Sequence, residues 1–331
     1  MSEETNNYAN AAGDLENREF GAKNQTSETT RPEISKEEVK PTSLGKASNY
    51  AGREGANDEP ALLPGYHEVY SENFPTKGIF YPKNARFFIR AASVKEIRHF
   101  STINEEDPFS IDEALNEIVK GCLMLRYPGK QASFKDLKEE DRIYIIMTIR
   151  ELTFVDGENK LGLKKICEEC NHENEIILTK DSFQTVIPPD TIMRYYDEET
   201  RRFLVQTRSS GTIELTPPSI GVMMEISKWI RNQQQEGRKI DQSFIKVLPY
   251  MITDWRGLNS ERIKQLEIES MQWSDIKYQT YNSLTEMART GVKETLHTEC
   301  EKCGSEVTTP ISFPGGIKSL FVISDISGEL I

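Results

Sequence analysis

The chain has 331 residues, of which 37% are hydrophobic and 28% are charged, a composition ordinary for a soluble protein with about two domains. Its formal net charge of −12 argues against nucleic-acid binding, which usually needs a basic face. No stretch approaches the roughly 18 apolar residues of a transmembrane helix, and Met1 to Asn10 lack the apolar core of a signal peptide.

The N-terminal stretch of residues 1–64 is rich in Asn, Glu, Thr, Ser, Lys and Gly and has almost no aliphatic periodicity. Such a segment buries too little apolar surface to offset the entropy cost of ordering it. Two interpretations fit this composition, namely a disordered tail and an arm that folds along a partner. We predict a flexible N-terminal arm that becomes ordered on a partner.

The next region combines apolar residues with turn signals. Arg86–Arg90 is typical of a strand, and Pro82–Asn84 predicts a hairpin turn that joins this strand to Phe74–Tyr81. Ser93 and Glu96 have the spacing of a capping box, in which each side chain satisfies a free backbone N–H at a helix start. We therefore expect a β-hairpin followed by a helix.

Apolar residues at helical spacing predict further helices in both parts of the chain. These helices cover Ile111–Arg126, Glu139 to Arg150, Ile220–Arg231, Phe244–Ile252, a short segment after Ser260, and a segment from Ser274. Between them, Phe203–Thr207 and Thr212–Leu215 are predicted to be strands on either side of a turn at Ser209–Gly211. Cys122 lies on an apolar helical stripe, so we expect it to be a small buried hydrophobic residue.

The order of these elements repeats along the chain. Asp141 precedes Cys167 by 26 residues, and Asp275 precedes Cys300 by 25. This correspondence predicts an internal duplication. A chance match of a common helix–hairpin order is the alternative.

The predicted fold is α+β, with two duplicated halves that each hold a β-hairpin, about three helices and a C-x-x-C hairpin. The predicted boundaries are an N-terminal arm over 1–64, a first repeat over 65–188, a linker over 189–202, a second repeat over 203–315 and a C-terminal docking segment over 316–331. The last segment turns apolar after a Pro-Gly-Gly joint, and exposed apolar patches usually mark interfaces.

Two short cysteine motifs organise the rest of the chain. A C-x-x-C turn offers two thiolates to one tetrahedral zinc ion, so two such turns complete a four-cysteine shell. Extended sequence on both sides of each motif predicts two hairpin knuckles. A shared structural Zn²⁺ would join them across a long stretch of sequence. The predicted ligands are Cys167, Cys170, Cys300 and Cys303.

Two alternatives to a four-cysteine zinc site remain open. A cytosolic dithiol redox motif also has C-x-x-C spacing, and it requires a depressed thiol pKa. His172 and His297 lie close to the motifs, so either could replace a cysteine ligand, although a hydrogen-bonded or exposed histidine is the commoner role. Five cysteines in two pairs and a remainder fit a reducing cytosol better than a disulfide framework.

The sequence lacks the common catalytic motifs. It contains no phosphate-binding G-x-x-x-x-G-K-[ST] loop, no G-x-G-x-x-G after a strand, no H-E-x-x-H and no G-x-S-x-G. A zinc ion bound by four thiolates also keeps no open coordination position for a reacting water. We therefore expect a non-enzymatic protein without a small-molecule substrate.

Several short stretches resemble one family. These are FPTKGIFYP at Phe74–Pro82, RFFIR at Arg86–Arg90, MTIR at Met147–Arg150 and CEECNHEN at Cys167–Asn174. They are similar to the baseplate hub proteins of T-even-like contractile-tail phages, well over residues 70–185 and more loosely beyond. Thr76 stands where that family more often has serine.

The resemblance implies a structural or assembly role in the baseplate hub, with the tape-measure protein and other hub proteins as partners. It implies a location in the virion tail, or in the host cytoplasm during assembly. It leaves open whether the protein stays in the virion or leaves as an assembly chaperone. A zinc-ribbon regulator that binds nucleic acid is the main alternative from another class, and the acidic charge argues against it.

Overall fold

The computed structural model describes residues 64–154, 160–183, 185–208, 210–293, 295–313 and 316–322, which all belong to the compact unit Pro60–Ile331. The predicted N-terminal arm lies outside the described residues apart from residue 64, as do Gly157 and Ser209. The described residues mix α-helices with several small antiparallel sheets, which confirms the predicted combination of both element types.

The strands of the described residues are, in chain order, β1 His67–Val69, β2 Arg86–Ile89, β3 Leu123–Arg126, β4 Leu161–Ile166, β5 Glu173–Leu178, β6 Thr185–Val186, β7 Tyr196–Asp197, β8 Arg202–Thr207, β9 Gly211–Leu215, β10 Gly291–Val292, β11 Thr295–Glu299 and β12 Glu306–Pro310. The α-helices are α1 Val94–Ser101, α2 Pro108–Cys122, α3 Arg142–Thr153, α4 Asp190–Met193, α5 Ile220–Gln235, α6 Gln242–Met251, α7 Ser260–Met271 and α8 Asp275–Ala288.

The first sheet corrects the predicted hairpin. The strand β2 forms as expected, but it pairs with β1 and β3 in the order β1-β2-β3, and residues 74–81 form turns instead of a strand. Lys77 and Gly78 have φ values of +54° and +74°, which a strand cannot accommodate. The sequence signal for Arg86–Arg90 was right, and the partner assigned to it was wrong.

A buried carboxylate holds this turn in place. Asp141 is 0% exposed and accepts hydrogen bonds from Thr76 N at 2.9 Å, Thr76 Oγ1 at 2.7 Å and the Tyr81 hydroxyl at 2.6 Å. The Tyr81 oxygen in turn accepts a bond from Lys138 N at 2.9 Å. The conformation of the turn therefore depends on residues about 60 positions further along the chain.

The predicted helix Ile111–Arg126 is wrong in its last turn. α2 ends at Cys122, and Leu123–Arg126 forms β3, in which buried Leu123 and Leu125 alternate with partly exposed side chains. Pairing with β2 supplies these residues with backbone hydrogen bonds and a buried face, and this outweighs their helical propensity. Cys122 itself is 0% exposed, which confirms the expected buried position.

The other predicted helices are confirmed. Ser93 and Glu96 form the capping box of α1. The Ser219 side chain accepts a hydrogen bond from Val222 N at the start of α5. The helices after Ser260 and Ser274 correspond to α7 and α8. Local capping chemistry therefore located these helix starts correctly.

The second sheet joins β7, β8 and β9 in sequence order. The predicted strands over Phe203–Thr207 and Thr212–Leu215 are confirmed as β8 and β9. The predicted linker 189–202 contains the short helix α4, and also β7, which pairs with β8. Part of the linker therefore belongs to the second sheet.

The core crosses the boundary between the two predicted halves. The largest hydrophobic cluster places Ile220 and Leu296 with side chains of the first half, and a second cluster places Phe80 beside Phe203. The strands β6 and β10 also pair across this boundary. The two halves thus pack as one body within the described residues.

The sheets of the two halves are built differently. β3 joins the first sheet from beyond α2, whereas β7, β8 and β9 follow one another directly. In the described part of the chain, three helices, α1 to α3, lie in the first half before its cysteine hairpin, and four, α5 to α8, lie in the second half before its hairpin. The duplication of the whole halves therefore stays a prediction.

Candidate metal centre

Both C-x-x-C motifs lie at the tips of antiparallel hairpins, β4–β5 and β11–β12, as predicted. In each turn the first cysteine donates its N–H to the carbonyl five residues on, at 2.8 Å, and the N–H four residues on donates back to that cysteine's carbonyl, at 3.0 and 2.9 Å. The residue at this fourth position has a positive φ, +53° at Asn171 and +73° at Gly304. The two turns are therefore local copies of one another.

The two hairpin tips bring their four thiols together. Cys167 Sγ lies 3.7 Å from Cys303 Sγ, and Cys170 Sγ lies 3.6 Å from Cys300 Sγ. All four sulfur atoms lie within 4.8 Å of one another. A tetrahedron with Zn–S bonds of about 2.3 Å has sulfur–sulfur edges of about 3.8 Å. The donor set and its spacing are therefore compatible with a metal site of the zinc type.

The burial of the cysteines follows their position in each motif. The first cysteine of each pair is buried, with Cys167 1% and Cys300 3% exposed, while Cys170 is partly buried and Cys303 is exposed. Val307, 3% exposed, packs beside the buried thiols. The cluster thus has one face against protein and one face towards solvent.

Hydrogen bonds within the turns tune the thiol of Cys300. Burial raises its pKa, but hydrogen bonds from the backbone amides of Cys303 and Lys302 and contacts with the Cys170 and Cys303 thiols outweigh burial and lower the pKa to about 6. The Ser305 side chain and backbone likewise lower the pKa of Cys303. The pKa of the Cys170 thiol moves the other way, to about 12, because a hydrogen bond from the His172 backbone, which lowers it, is outweighed by burial and the neighbouring thiols. The second hairpin therefore favours the thiolate, which is the form that binds a metal.

A buried asparagine links the two tips, and sequence reasoning missed it. Asn174 is 2% exposed, its amide donates to His172 O at 3.2 Å, and its Oδ1 accepts from Glu301 N at 3.0 Å. The equivalent position in the second hairpin, seven residues after the first cysteine, holds Val307. This difference between two otherwise similar motifs is the sequence signal that would have identified Asn174.

The histidines near the motifs lie outside the sulfur cluster. His297 Nδ1 lies 2.6 Å from Glu306 Oε1 on the exposed face of β11. Among the described residues, the four cysteines form the one group of three or more His, Cys, Asp or Glu side chains that could hold a metal ion. The acids inside the motifs, Glu168, Glu169 and Glu301, are exposed as expected.

None of the helices in the described part of the chain has the length and apolar character needed to cross a bilayer. No curated protein and no solved structure matches the chain. The family model described as T4 bacteriophage base plate protein matches residues 80–322, which is most of the chain and includes all four motif cysteines. The chain therefore belongs to the T4 bacteriophage base plate protein family.

Proposed function

We propose that the chain is a non-enzymatic structural or assembly component of a contractile-tail phage baseplate hub, held together by one structural Zn²⁺. Family membership supports a structural role in the base plate. The observation that carries the zinc proposal is the convergence of four thiols from two hairpins that are about 130 residues apart in the chain. The proposed ligands are Cys167, Cys170, Cys300 and Cys303.

The zinc ion would stabilise the hairpin tips, which have little else to hold them together. A two-stranded hairpin is marginally stable in water, and the buried cluster between the tips contains Cys167, Cys300 and Val307 among the described residues. Structural zinc binding contributes roughly 10–16 kcal/mol in zinc-finger peptides, and this binding energy is folding energy. A metal is therefore the strongest interaction available at this position.

The matching hairpin tips also support the proposal that the two halves arose by duplication. Both turns share their backbone hydrogen bonds, the positive φ at the fourth position and the buried first cysteine. We assign the repeats to 65–188 and 203–315, with 189–202 as the linker. The differing sheets would then reflect later divergence of the elements that precede each hairpin.

The partners we propose are other baseplate hub proteins and the tape-measure protein. Leu320 and Phe321 are 0% and 1% exposed, and the Phe321 ring packs against Phe100 at 5.2 Å. These two side chains belong to the core and are not available to a partner. Within the docking segment 316–331 we therefore assign partner binding to residues 323–331, which lie outside the described residues. The arm 1–64 is the second proposed contact.

Zinc analysis of the freshly purified, full-length protein tests the metal part of this proposal. We expect one zinc ion per chain, retained through gel filtration and lost on treatment with a strong chelator at low pH, where thiolates become protonated. Protein that folds and carries no zinc contradicts the metal proposal.

Mass spectrometry of purified phage particles tests the location. We expect the protein in the tail fraction of mature particles, and we expect particles made with a chain truncated after Val322 to lack it. Presence only in assembly intermediates supports the chaperone alternative instead. Normal incorporation of the truncated chain contradicts the docking role of residues 323–331.

A further inference from the structure

A cavity of about 220 Å³ lies where the two halves meet, away from the cysteine cluster. Three segments contribute most of its wall, the loop after β3, the turn between β7 and β8, and the segment that follows α6. No cysteine is among the described residues that line it. The cavity is therefore a separate feature that the proposed zinc staple does not use.

The charge of the cavity is opposite to that of the chain. Among the described lining residues, five are cationic and two are acidic, whereas the whole chain has a net charge of −12. The two acids, Asp136 and Asp254, are both bound by Arg256, at 2.7 Å and 3.2 Å. The five cations are Lys130, Lys138, Arg201, Arg202 and Arg256.

The ammonium group of Lys138, at the cavity wall, has more N–H donors than its one hydrogen bond uses. Its Nζ donates one hydrogen bond, to Pro217 O at 2.7 Å, whereas an ammonium group has three N–H donors. Burial lowers the pKa of Lys138 to about 8, the nearby carboxylates of Glu140 and Asp141 oppose this shift, and the charge of Arg201 adds to it. An anion in the cavity would offset both the cost of burying the charged Lys138 ammonium and its repulsion by Arg201.

Arg201 is held in an unusual backbone conformation beside Lys138. Its φ of +57° is rare for a residue with a side chain, and its N–H donates to Asp197 O at 2.7 Å. With described residues its guanidinium forms one long hydrogen bond, 3.5 Å to Glu199 O, and no ion pair. Strained backbone at a cavity often positions a functional side chain. Arg201 thus presents a charged group without a strong partner in the described part of the chain.

Apolar and aromatic side chains complete the wall of the cavity. Tyr127, Val222 and Trp255 line the cavity. The Trp255 indole donates to Asp136 Oδ1 at 2.9 Å, and its ring lies 4.8 Å from the Arg256 guanidinium. Charged hydrogen bonds are stronger beside partly buried groups such as these than in open water.

We propose that this cavity binds a carboxylate side chain from an acidic segment of a partner protein. The Arg201 guanidinium and the Lys138 ammonium would donate to the carboxylate, and the residues that flank it in the partner would contact Tyr127 and Trp255. The choice of a protein partner rests on the proposed function, whereas the anion-binding chemistry rests on the cavity alone. Inorganic phosphate is the competing source of an anionic oxygen group.

Selective ¹⁵N labelling of tryptophan in the full-length protein provides a direct test. The chain has three tryptophans, so the Trp255 indole signal reports on the cavity while Trp229 and Trp273 serve as internal references. The probes are a blocked pentapeptide of aspartate and glutamate, the matching asparagine and glutamine pentapeptide, and inorganic phosphate. We expect the acidic peptide alone to shift the Trp255 signal, and to leave the two references in place.

Two variants locate the binding site. Arg201→Gln should weaken acidic-peptide binding about tenfold, as expected for the loss of one charge-assisted hydrogen bond. Lys130→Gln, at an exposed lining position, should weaken it less. Arg208→Gln removes the same charge from an exposed residue outside the cavity and should bind as the unmodified chain does. Thermal unfolding of each variant checks that it is folded.

Three results overturn the proposal: no Trp255 shift with the acidic peptide, an equal shift with its amide counterpart, or equal affinity in Arg201→Gln. In the first case, a Trp255 shift with phosphate would assign the cavity to a different ligand. Zinc content and presence in phage particles are measured separately. A zinc-loaded virion protein that ignores the peptide therefore contradicts the cavity proposal alone.

Discussion

Two of the contacts between the halves, among the described residues, differ in how they are held together. At the hairpin tips, the buried cluster contains Cys167, Cys300 and Val307, with Cys170 partly buried, among the described residues. At the central core, Ile220 and other side chains from the second half pack into a large cluster of aromatic and aliphatic residues from the first half. The buried side chains at the tips are mostly cysteines, whereas those in the central core are mostly aromatic and aliphatic.

The difference shows how the same chain obtains rigidity from two kinds of interaction. Burial of apolar area stabilises by about 25 cal/mol per Å², so a large cluster needs no metal. The hairpin tips have too little apolar area for this, and their thiols are placed where a metal could join them. We therefore expect the tips to depend on zinc and the central core to depend on packing.

The largest effect should follow the loss of the second pair of thiols. Replacing both Cys300 and Cys303 with serine should release zinc and lower the free energy of unfolding by about 5 kcal/mol or more, since zinc binding is folding energy. Calorimetry and zinc analysis measure both changes. Cys122→Ala, which removes a buried thiol outside the cluster, should keep its zinc. A first half that melts at its usual temperature in the double variant would show that the hairpins do not share one ion.

A change inside the first half, away from the hairpin tips, should destabilise the protein without releasing the metal. Asp141→Ala leaves Thr76 N, Thr76 Oγ1 and the Tyr81 hydroxyl without their acceptor inside the protein, which should cost about 3 kcal/mol. Urea unfolding measures this loss, and zinc content should be unchanged. Asp141→Asn keeps one acceptor oxygen and should cost less. Equal stability of the alanine variant and the unmodified chain contradicts the role of Asp141.

The stability of the protein should also depend on pH, through the carboxyl group of Glu139. Burial raises the pKa of Glu139 from 4.5 to about 7, although Arg142 opposes the shift, and its Oε2 is buried without a hydrogen-bond partner among the described residues. Stability from the protonated form is full below pH 4.5 and is lost as pH rises through about 7. Glu139→Gln loses the 2.7 Å ion pair with Arg142 at every pH in this range, but its stability relative to the unmodified chain should rise by about 1–3 kcal/mol between pH 5 and pH 8. A stability difference that stays constant over this range contradicts the assignment.

A smaller effect is expected at the link between the two tips. Asn174→Val copies the residue found at the equivalent position of the second hairpin and removes the bond to Glu301 N. We expect a loss of about 1 kcal/mol and zinc binding roughly tenfold weaker, as for other groups that orient metal ligands. Competition with a zinc indicator measures the affinity. Glu301→Gln keeps the backbone donor and should bind zinc normally; equal affinity in the Asn174 variant would remove its bridging role.

The smallest effect concerns the backbone of the second turn. Gly304 has a φ of +73°, and a Cβ placed on it would meet no atom within 4 Å, so a substitution there costs only backbone strain. Gly304→Val should cost about 1 kcal/mol, whereas Gly304→Asn, which copies Asn171, should be tolerated. Thermal unfolding of the two variants tests this order. The reverse order would mean that the two turns are not equivalent.

Interactions between neighbouring residues were predictable from the sequence. The C-x-x-C spacing located both hairpin tips, and the serine caps located the starts of α1, α5 and α8. These signals depend on a few residues within one turn of chain. The convergence of the four thiols was also predictable, because each motif supplies half of a tetrahedral shell.

Interactions over long sequence distances were not predictable in the same way. The turn at residues 74–81 follows from hydrogen bonds to Asp141, 65 positions beyond Thr76, and no local pattern indicates that partner. The strand β3 is likewise selected by pairing with β2, although its residues continue an apolar helical stripe. The charged cavity needs three segments together, so the sequence shows its residues without showing that they meet.

We propose above that one zinc ion joins the two hairpin tips through four thiolates. X-ray absorption spectroscopy at the zinc edge, on the full-length protein as purified, tests this most directly. We expect a first shell of four sulfur atoms at about 2.3 Å from the zinc ion. A shell that contains nitrogen or oxygen in place of sulfur, or the same four-sulfur spectrum in the Cys300→Ser, Cys303→Ser double variant, contradicts it.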